Sequence, residues 1–262
     1  MTDRYAGRLT FNELKHEYCW DGGPVPGVTT ILKLIDGMDA APPDRVWVAG
    51  MRGTAVHKAT ENYDNGLAWD ASVKDDDMRQ EIWPYVSAYF QFLRDAGDAY
   101  AIETIEERVY HSLHQYSGTC DRIAVVDGQR SVIDLKTSTR LNIAVGPQLA
   151  AYKAAHNCDL PPKQRAIGRY ALQLKKDGTY HFARYDEEHD LIRFLTCLDF
   201  WRLRDELGLG GPRTSTKTGS YVERIDLSDN RWPSPVEHDE EAEAVVPQTL
   251  YSTAVQRKGI TS

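Results

Sequence analysis

Three short β-prone runs follow one another in the middle of this chain, and helical patterns flank them on both sides. The runs cover residues 102–110, 118–126 and 131–137, and the Asp127-Gly128 pair between the last two is typical of a tight hairpin turn. Two more β-prone runs, 167–174 and 179–185, come after a further helical stretch. This order predicts an α/β or α+β domain built around a central mixed β-sheet.

The predicted elements and the local composition divide the chain into three parts. Residues 45–62, 75–96, 148–156 and 187–207 carry apolar side chains at helical spacing. Residues 1–44 are expected to form a β-rich N-terminal segment that packs on the core. Residues 45–207 form the main domain, and residues 208–262, rich in Gly, Ser, Thr and Pro and then in acidic residues, form a flexible C-terminal tail.

The composition argues against a membrane protein, a secreted protein and a cysteine-based zinc site. No run of apolar residues is long enough to span a membrane and the N-terminus has no hydrophobic signal core, so a cytoplasmic protein without a membrane partner is expected. The 4 cysteines lie far apart, which provides neither a disulfide framework nor a zinc knuckle. The formal charge of −8 argues at first against a nucleic-acid partner.

Two segments most strongly indicate a chemical function. They are Gly118-Thr119-Cys120-Asp121 and Asp134-Leu135-Lys136. If the two segments lie on hairpin partners, Asp121 and Asp134 converge on one face, and Lys136 returns to the face of Asp134. Carboxylate oxygens of this kind suit Mg²⁺ or Mn²⁺. A metal held there would neutralise a phosphate and acidify a bound water, and the lysine would orient that water or stabilise the transition state. The competing interpretation is an exposed ion pair on a strand, worth about 0–1 kcal/mol.

Three other features favour the metal-site interpretation. His57 lies one helical turn before Glu61, so an imidazole on this face can complete a metal site. Gln148 and Tyr152 share a helix face and can hold a phosphate or a base, with Lys153 adjacent. Glu107, on the strand before Gly118, is a candidate for a further ligand, although other glutamates lie nearby.

In this order, these segments resemble the RecB-like branch of the PD-(D/E)XK nuclease superfamily, including phage-encoded exonucleases. The matching pieces are Gly53-x-x-x-His57, Glu107, Gly118-Thr119-x-Asp121, Asp134-x-Lys136 and Gln148-x-x-x-Tyr152. The resemblance implies a restriction-endonuclease-like core, a mixed sheet flanked by helices. It also implies a Mg²⁺-dependent deoxyribonuclease, most simply an exonuclease that processes DNA ends in recombination or replication.

The resemblance also assigns roles to residues. Asp121, Asp134, His57 and the backbone carbonyl of Leu135 would bind the divalent metal, Mg²⁺ or Mn²⁺, and Glu107 would assist them. Lys136 would position or activate the water. Gln148 and Tyr152 would support substrate binding. An iron–sulfur cluster, which some relatives hold through one upstream and three clustered downstream cysteines, is not expected, because the cysteines here are scattered.

Residues 138–184, which follow the Asp-x-Lys strand, hold eight basic and two acidic residues. Arg140 and Lys153 are among them, so both are candidate phosphate contacts, and DNA becomes the expected partner despite the net charge. By family analogy alone, a single-strand annealing protein and a homo-oligomer are further candidate partners.

Two other functions fit the same residues. One is a structure-specific or restriction-like endonuclease, because the metal site would be the same. The other is a non-catalytic DNA-binding or assembly protein with a degenerate nuclease site. Intact Asp121, Asp134 and Lys136 favour an enzyme over this second alternative.

Overall fold

The structure, a computed structural model, describes residues 4–13, 15–36 and 43–209. The tail predicted over residues 208–262 lies outside the described residues except for its first two positions. No helix in the described ranges is long and apolar enough to cross a membrane.

A small sheet at the N-terminus precedes the helices. Its strands are β1 (Leu9–Asn12), β2 (Glu17–Trp20) and β3 (Gly23–Val25), antiparallel in that order. A short helix, α1 (Val28–Leu32), follows at once.

The main sheet has five strands in the order β4-β5-β6-β7-β8. They are β4 (Tyr100–His111), β5 (Tyr116–Val126), β6 (Gln129–Lys136), β7 (Gly168–Leu174) and β8 (Tyr180–Arg184). The β6–β7 pair is parallel and the other neighbours are antiparallel, so the predicted mixed sheet is confirmed. The β5–β6 turn is the expected Asp127-Gly128 pair, and both residues have positive φ, 48° and 78°, as a two-residue hairpin of type I′ requires.

Helices cover both faces of this sheet. On one face lie α2 (Pro43–Asp64) and α3 (Asp76–Ala96), which pack on side chains such as Leu135 and Leu172. On the other face lie α1, α4 (Val145–Asn157) and α5 (Asp190–Glu206), which pack on side chains such as Cys120 and Ile123. Because alternate residues of a strand point to opposite faces, Leu135 enters the α2–α3 core while Asp134 and Lys136 turn toward α4.

The N-terminal sheet is bonded to the start of β5. The Ser117 amide donates to the Pro26 carbonyl at 3.0 Å, and the Tyr18 hydroxyl bonds the Thr119 hydroxyl at 2.8 Å. Gly118 lies between these contacts, and its missing side chain leaves room for the ring of Tyr152, since a Cβ there would lie 2.5 Å from Tyr152 Cε1. The strand that carries Asp121 is thus held from two directions before it reaches that residue.

Candidate functional site: a carboxylate–imidazole cluster at the ends of β5 and β6

The centre of the candidate site is a set of three side chains from three elements. His57 of α2, Glu106 of β4 and Asp121 of β5 each offer a ligand atom, and these atoms lie within 4.8 Å of one another. Asp121 is 7% exposed, and the His57 ring is about one-third exposed, so the cluster opens to solvent on the helix side.

Asp121 and Leu135 bring the hairpin into this cluster. Asp121 Oδ2 accepts a hydrogen bond from the Leu135 amide at 2.6 Å, and Asp121 Oδ1 lies 3.2 Å from His57 Nδ1. The other ring nitrogen of His57, Nε2, lies 3.2 Å from the Leu135 carbonyl oxygen. The imidazole, the carboxylate and the backbone carbonyl that the sequence singles out therefore meet at one point.

Glu106 reaches the cluster because of its register and its backbone. The β4–β5 pairing runs from Ile105 opposite Arg122 to Glu107 opposite Cys120, which places Glu106 opposite Asp121. Glu106 has a φ of 50°, a conformation that costs a non-glycine residue of order 1–3 kcal/mol and is most often retained at functional sites.

Glu107, the glutamate singled out in the sequence, has other partners. Its carboxylate accepts a hydrogen bond from the Thr104 hydroxyl at 2.8 Å and lies 3.1 Å from Nδ1 of His156, a buried residue of α4. Nη1 of Arg4 lies 3.9 Å from Oε1 of Glu107. The structure thus places Glu106, rather than Glu107, beside Asp121. In the structure β4 ends at His111 and β5 begins at Tyr116, and this register sets Glu106 opposite Asp121. A hairpin centred between the predicted runs 102–110 and 118–126 would instead set Glu107 there.

Asp134 and Lys136 form a second, adjoining group with Gln148. Lys136 Nζ lies 2.7 Å from Asp134 Oδ2 and donates to Gln148 Oε1 at 2.9 Å. The Gln148 amide nitrogen in turn donates to Asp134 Oδ1 and to the Tyr152 hydroxyl, both at 3.1 Å. Asp134 is 3% exposed, so the interpretation as an exposed strand pair does not apply.

Burial and mutual repulsion shift the proton affinities of these acids. Burial, reinforced by the Asp121 carboxylate, raises the pKa of Glu106 to about 7. Burial also raises the pKa of Asp134, and Asp121 adds to the rise while Lys136 opposes it. For His57, burial favours the neutral ring, but Asp121 outweighs it and raises the pKa to about 9.

The donor set fits a divalent cation. Glu106 Oε1 is buried and accepts no hydrogen bond from any residue that the structure describes, and Arg122 Nη1 lies 3.6 Å from it. Hard carboxylate and carbonyl oxygens with one imidazole match the preferences of Mg²⁺ and Mn²⁺. Burial and then the Asp121 carboxylate raise the pKa of Glu106, and a bound cation would favour the charged form of this acid.

The remaining sequence candidates lie at varied distances from this chemistry. Gln148 and Tyr152 are 8% and 4% exposed, so their contacts are with the strand residues just described. Lys153 is half-buried and donates to the Ile167 carbonyl at 3.2 Å. Arg140 is exposed in the loop that follows β6 and remains a candidate phosphate contact.

Comparisons with known proteins agree with this picture of the fold. Residues 30–202 match the family model of the PD-(D/E)XK nuclease superfamily. No curated protein matches the chain.

The solved structures to which the chain is similar include two of an alkaline exonuclease, LHK-Exo from Laribacter hongkongensis. The chain in its complex with dAMP is 12% identical in sequence to this protein, with a TM-score of 0.38. The match covers 71% of this chain and 89% of that one. The other LHK-Exo structure is 13% identical with a TM-score of 0.33, and the match covers 70% of this chain and 94% of that one. SSO0001 is 13% identical with a TM-score of 0.31, and the match covers 61% of this chain and 76% of that one.

Proposed function

Because this chain belongs to the PD-(D/E)XK nuclease superfamily, we propose that it is a Mg²⁺- or Mn²⁺-dependent exonuclease that hydrolyses phosphodiester bonds at DNA ends. The observation that carries the proposal is the meeting of His57, Glu106, Asp121 and the Leu135 carbonyl beside the Asp134–Lys136 pair. In this proposal Glu106 takes the role that the family resemblance assigned to Glu107.

His57, Glu106, Asp121, Asp134 and the Leu135 carbonyl would hold the metal. Bound there, it supplies positive charge next to a phosphate and lowers the pKa of a water molecule. This accounts for the accumulation of buried carboxylates, which is otherwise unfavourable in a folded protein.

Lys136 is proposed to place the attacking water. An ammonium has three N–H donors, and contacts with Asp134 Oδ2 and Gln148 Oε1 engage two of them. The third is left for a water or a phosphate oxygen, in a direction that the first two contacts fix. Attack of that water on phosphorus forms a new P–O bond and breaks one P–O ester bond. The departing oxygen leaves as an alcohol with the proton that the water loses, and the phosphate stays on the other product.

Gln148 and Tyr152 are proposed to orient the reactive pair. One amide group bonds both members, donating to Asp134 and accepting from Lys136, and the Tyr152 hydroxyl fixes the rotation of that amide. Arg140, on the loop after β6, and Lys153 are proposed to contact the DNA backbone.

The proposal includes a biological setting that rests on family resemblance alone. Such an enzyme would act in the cytoplasm, in phage or host recombination or replication, and would supply single strands to an annealing protein.

Purified protein should be tested on end-labelled linear duplex and on closed circular duplex of the same sequence, with Mg²⁺ and with chelator. We expect loss of the linear substrate, an intact circle, and no reaction after chelation. Cutting of the circle would instead identify an endonuclease. Metal-dependent binding without cleavage of either substrate would identify a non-catalytic DNA-binding protein.

Two variants test the assignment of residues. Asp121→Asn and Lys136→Met should each lower the cleavage rate at least about 100-fold, because each removes charge from the reacting centre. Asp186→Asn, an exposed carboxylate that pairs with Arg184 on the surface, is the matched control and should retain full activity. Wild-type rates in Asp121→Asn or Lys136→Met would overturn the assignment.

A further inference from the structure

Arg122 is a guanidinium with no solvent exposure, directly after Asp121 on β5. Removing such a charge from water costs several kcal/mol unless the group is fully paired. An ordinary strand position facing a core would carry an apolar residue, as Ala124 and Val126 do further along the same strand. The position of Arg122 therefore calls for a role that an apolar side chain cannot fill.

One side of the guanidinium is bonded to α2. Nε lies 2.6 Å from Oδ2 of Asp64, whose side chain is 2% exposed, and Nη2 donates to the Thr60 hydroxyl at 3.2 Å. The same Thr60 hydroxyl donates to the backbone carbonyl of His57 at 2.9 Å. Arg122 is thus two hydrogen bonds away from the residue that carries the imidazole of the cluster.

The other side of the guanidinium faces the two strands. Nη1 donates to the backbone carbonyl of Asp121 at 2.6 Å and lies 3.6 Å from Glu106 Oε1. A planar fork with five donors in fixed directions can serve partners on three elements at once, and a single ammonium cannot.

These contacts reach each of the three elements that bear the cluster: Arg122 contacts Asp121 and Glu106 directly, and it reaches His57 through Thr60. We propose that Arg122 is a positioning residue for the metal site, which sets the separation of His57, Asp121 and Glu106 and, through Asp64, fixes α2 against β5. The inference rests on the proposed function, since it concerns the same metal site.

The test must separate positioning from simple pairing with Asp64. Arg122→Met leaves the buried Asp64 carboxylate unpaired, so this variant should lose stability whatever else Arg122 does. Arg122→Met with Asp64→Asn removes both charges and keeps an acceptor for the Tyr89 hydroxyl, which bonds Asp64 in the native protein. Most of the lost stability should return in this double variant.

Metal binding is then measured without DNA, as the loss of the free Mn²⁺ signal in electron paramagnetic resonance titrations of the full chain. We expect the double variant, although folded, to bind Mn²⁺ about 10- to 100-fold more weakly than wild type, the range typical when a partner of metal ligands is removed. Arg122→Lys, which keeps the charge and loses the fork, should also bind more weakly.

A second buried pair provides the control. Arg169 Nη1 lies 3.1 Å from Asp190 Oδ2, and these side chains are 7% and 4% exposed. Arg169→Met with Asp190→Asn makes the same chemical change at this pair and should leave Mn²⁺ affinity unchanged.

The outcomes distinguish the inference from the function on which it rests. If wild type binds Mn²⁺ and the Arg122–Asp64 double variant binds it equally well, Arg122 does no more than pair with Asp64, and the inference fails. Should the double variant not fold, wild-type affinity in Arg122→Lys overturns the inference in the same way. An equal loss of affinity in the Arg169–Asp190 control would also overturn it. Absence of Mn²⁺ binding by wild type would overturn the proposed function itself.

Discussion

The His57 ring lies between two oxygen atoms that can only accept hydrogen bonds, the Asp121 carboxylate and the Leu135 carbonyl. Both ring nitrogens must then donate, which requires the protonated imidazole. This agrees with the pKa of about 9, which the Asp121 carboxylate maintains against the effect of burial. A metal ligand must be the neutral ring, so the metal and this proton compete for the same site.

Mn²⁺ binding should therefore release protons. Between about pH 7 and 9 we expect the affinity to rise about tenfold per pH unit, because one proton leaves His57, and more steeply below the pKa of about 7 of Glu106. Isothermal titration calorimetry at pH 7.5 in Hepes and in Tris, buffers with different ionisation enthalpies, measures the released protons. His57→Gln should release fewer, and a heat of binding that is the same in both buffers would contradict the prediction.

Gly118 permits the close approach of Tyr152, so the smallest possible substitution there is informative. In Gly118→Ala the new Cβ would meet the Tyr152 ring at 2.5 Å, and the ring must move away from Gln148. We expect a loss of about 1–3 kcal/mol in the free energy of unfolding, measured in urea, together with a lower cleavage rate.

Gly50→Ala is the matched control for this prediction, because a Cβ at this position in α2 meets no atom within 4 Å. Its stability should rise slightly, since alanine favours helix over glycine, and its activity should be unchanged. Equal rates for the two alanine variants would show that the position of Tyr152 does not affect catalysis.

The sequence alone could narrow the acid beside Asp121 to Glu106 or Glu107, but it could not decide between them. Strand alternation alone places one of them beside Asp121, and the hairpin register selects Glu106. A bulge between Ile102 and Thr104 and the positive φ of Glu106 alter the direction of the side chains, and neither has a clear signature in the residues. Assignments to a single carboxylate therefore depended on local backbone geometry, whereas the Asp121–Asp134–Lys136 pattern did not.

At the scale of elements, the amide of Gln148 links α4 to both Asp134 and Lys136 of β6. Gln148→Met keeps the size of the side chain but removes the donor to Asp134 Oδ1 and one of the two acceptors that contact Lys136. We expect kcat to fall about 10- to 100-fold, because Lys136 is then held by Asp134 alone, while Mn²⁺ affinity changes much less. Rates at saturating metal, compared with Mn²⁺ titrations, separate the two quantities.

Tyr152→Phe is the graded comparison, since it removes only the hydroxyl that accepts from Gln148. Its effect on kcat should lie between those of wild type and Gln148→Met. A Gln148→Met variant that loses metal affinity and keeps kcat at saturating metal would assign Gln148 to the metal site instead.

The order of elements was predictable because periodicity, turn pairs and prolines act locally. The helix predicted over residues 45–62 is α2, Pro43–Asp64, and the one predicted over 148–156 is α4, Val145–Asn157. The pairing of elements that lie far apart in the chain was not predictable, because it depends on three-dimensional packing. Nothing in the local sequence shows that Arg122 enters the α2 side of the sheet to bond Asp64, 58 positions earlier in the chain.

At the scale of the whole molecule, the basic stretch 138–184 is less available to DNA than its composition indicates. Arg169 is buried against Asp190, Arg184 pairs with Asp186, and Arg165 donates to a backbone carbonyl. The other basic residues of the stretch are Arg140, Lys153, Lys163, Lys175 and Lys176. DNA affinity should accordingly depend on salt through few phosphate contacts.

Each neutralised phosphate lowers log affinity by about 0.9 per unit of log salt, so these five residues predict a slope no steeper than about −4.5. Fluorescence anisotropy with Ca²⁺, which supports binding without requiring cleavage, measures the slope on a short duplex. Arg140→Ala should reduce it by about one unit. A slope near zero would exclude this stretch from the DNA contact.

The hydrogen bonds from the N-terminal segment to β5 also determine how far this protein can be truncated at its N-terminus. The family match begins at residue 30, yet Tyr18 and Pro26, both upstream of it, hold the strand that leads to Asp121. A gene trimmed to the matched boundaries would encode every proposed metal ligand and still lose these supports. The smallest working fragment of this enzyme is therefore set by its hydrogen bonds, and it extends further toward the N-terminus than sequence matching alone would place it.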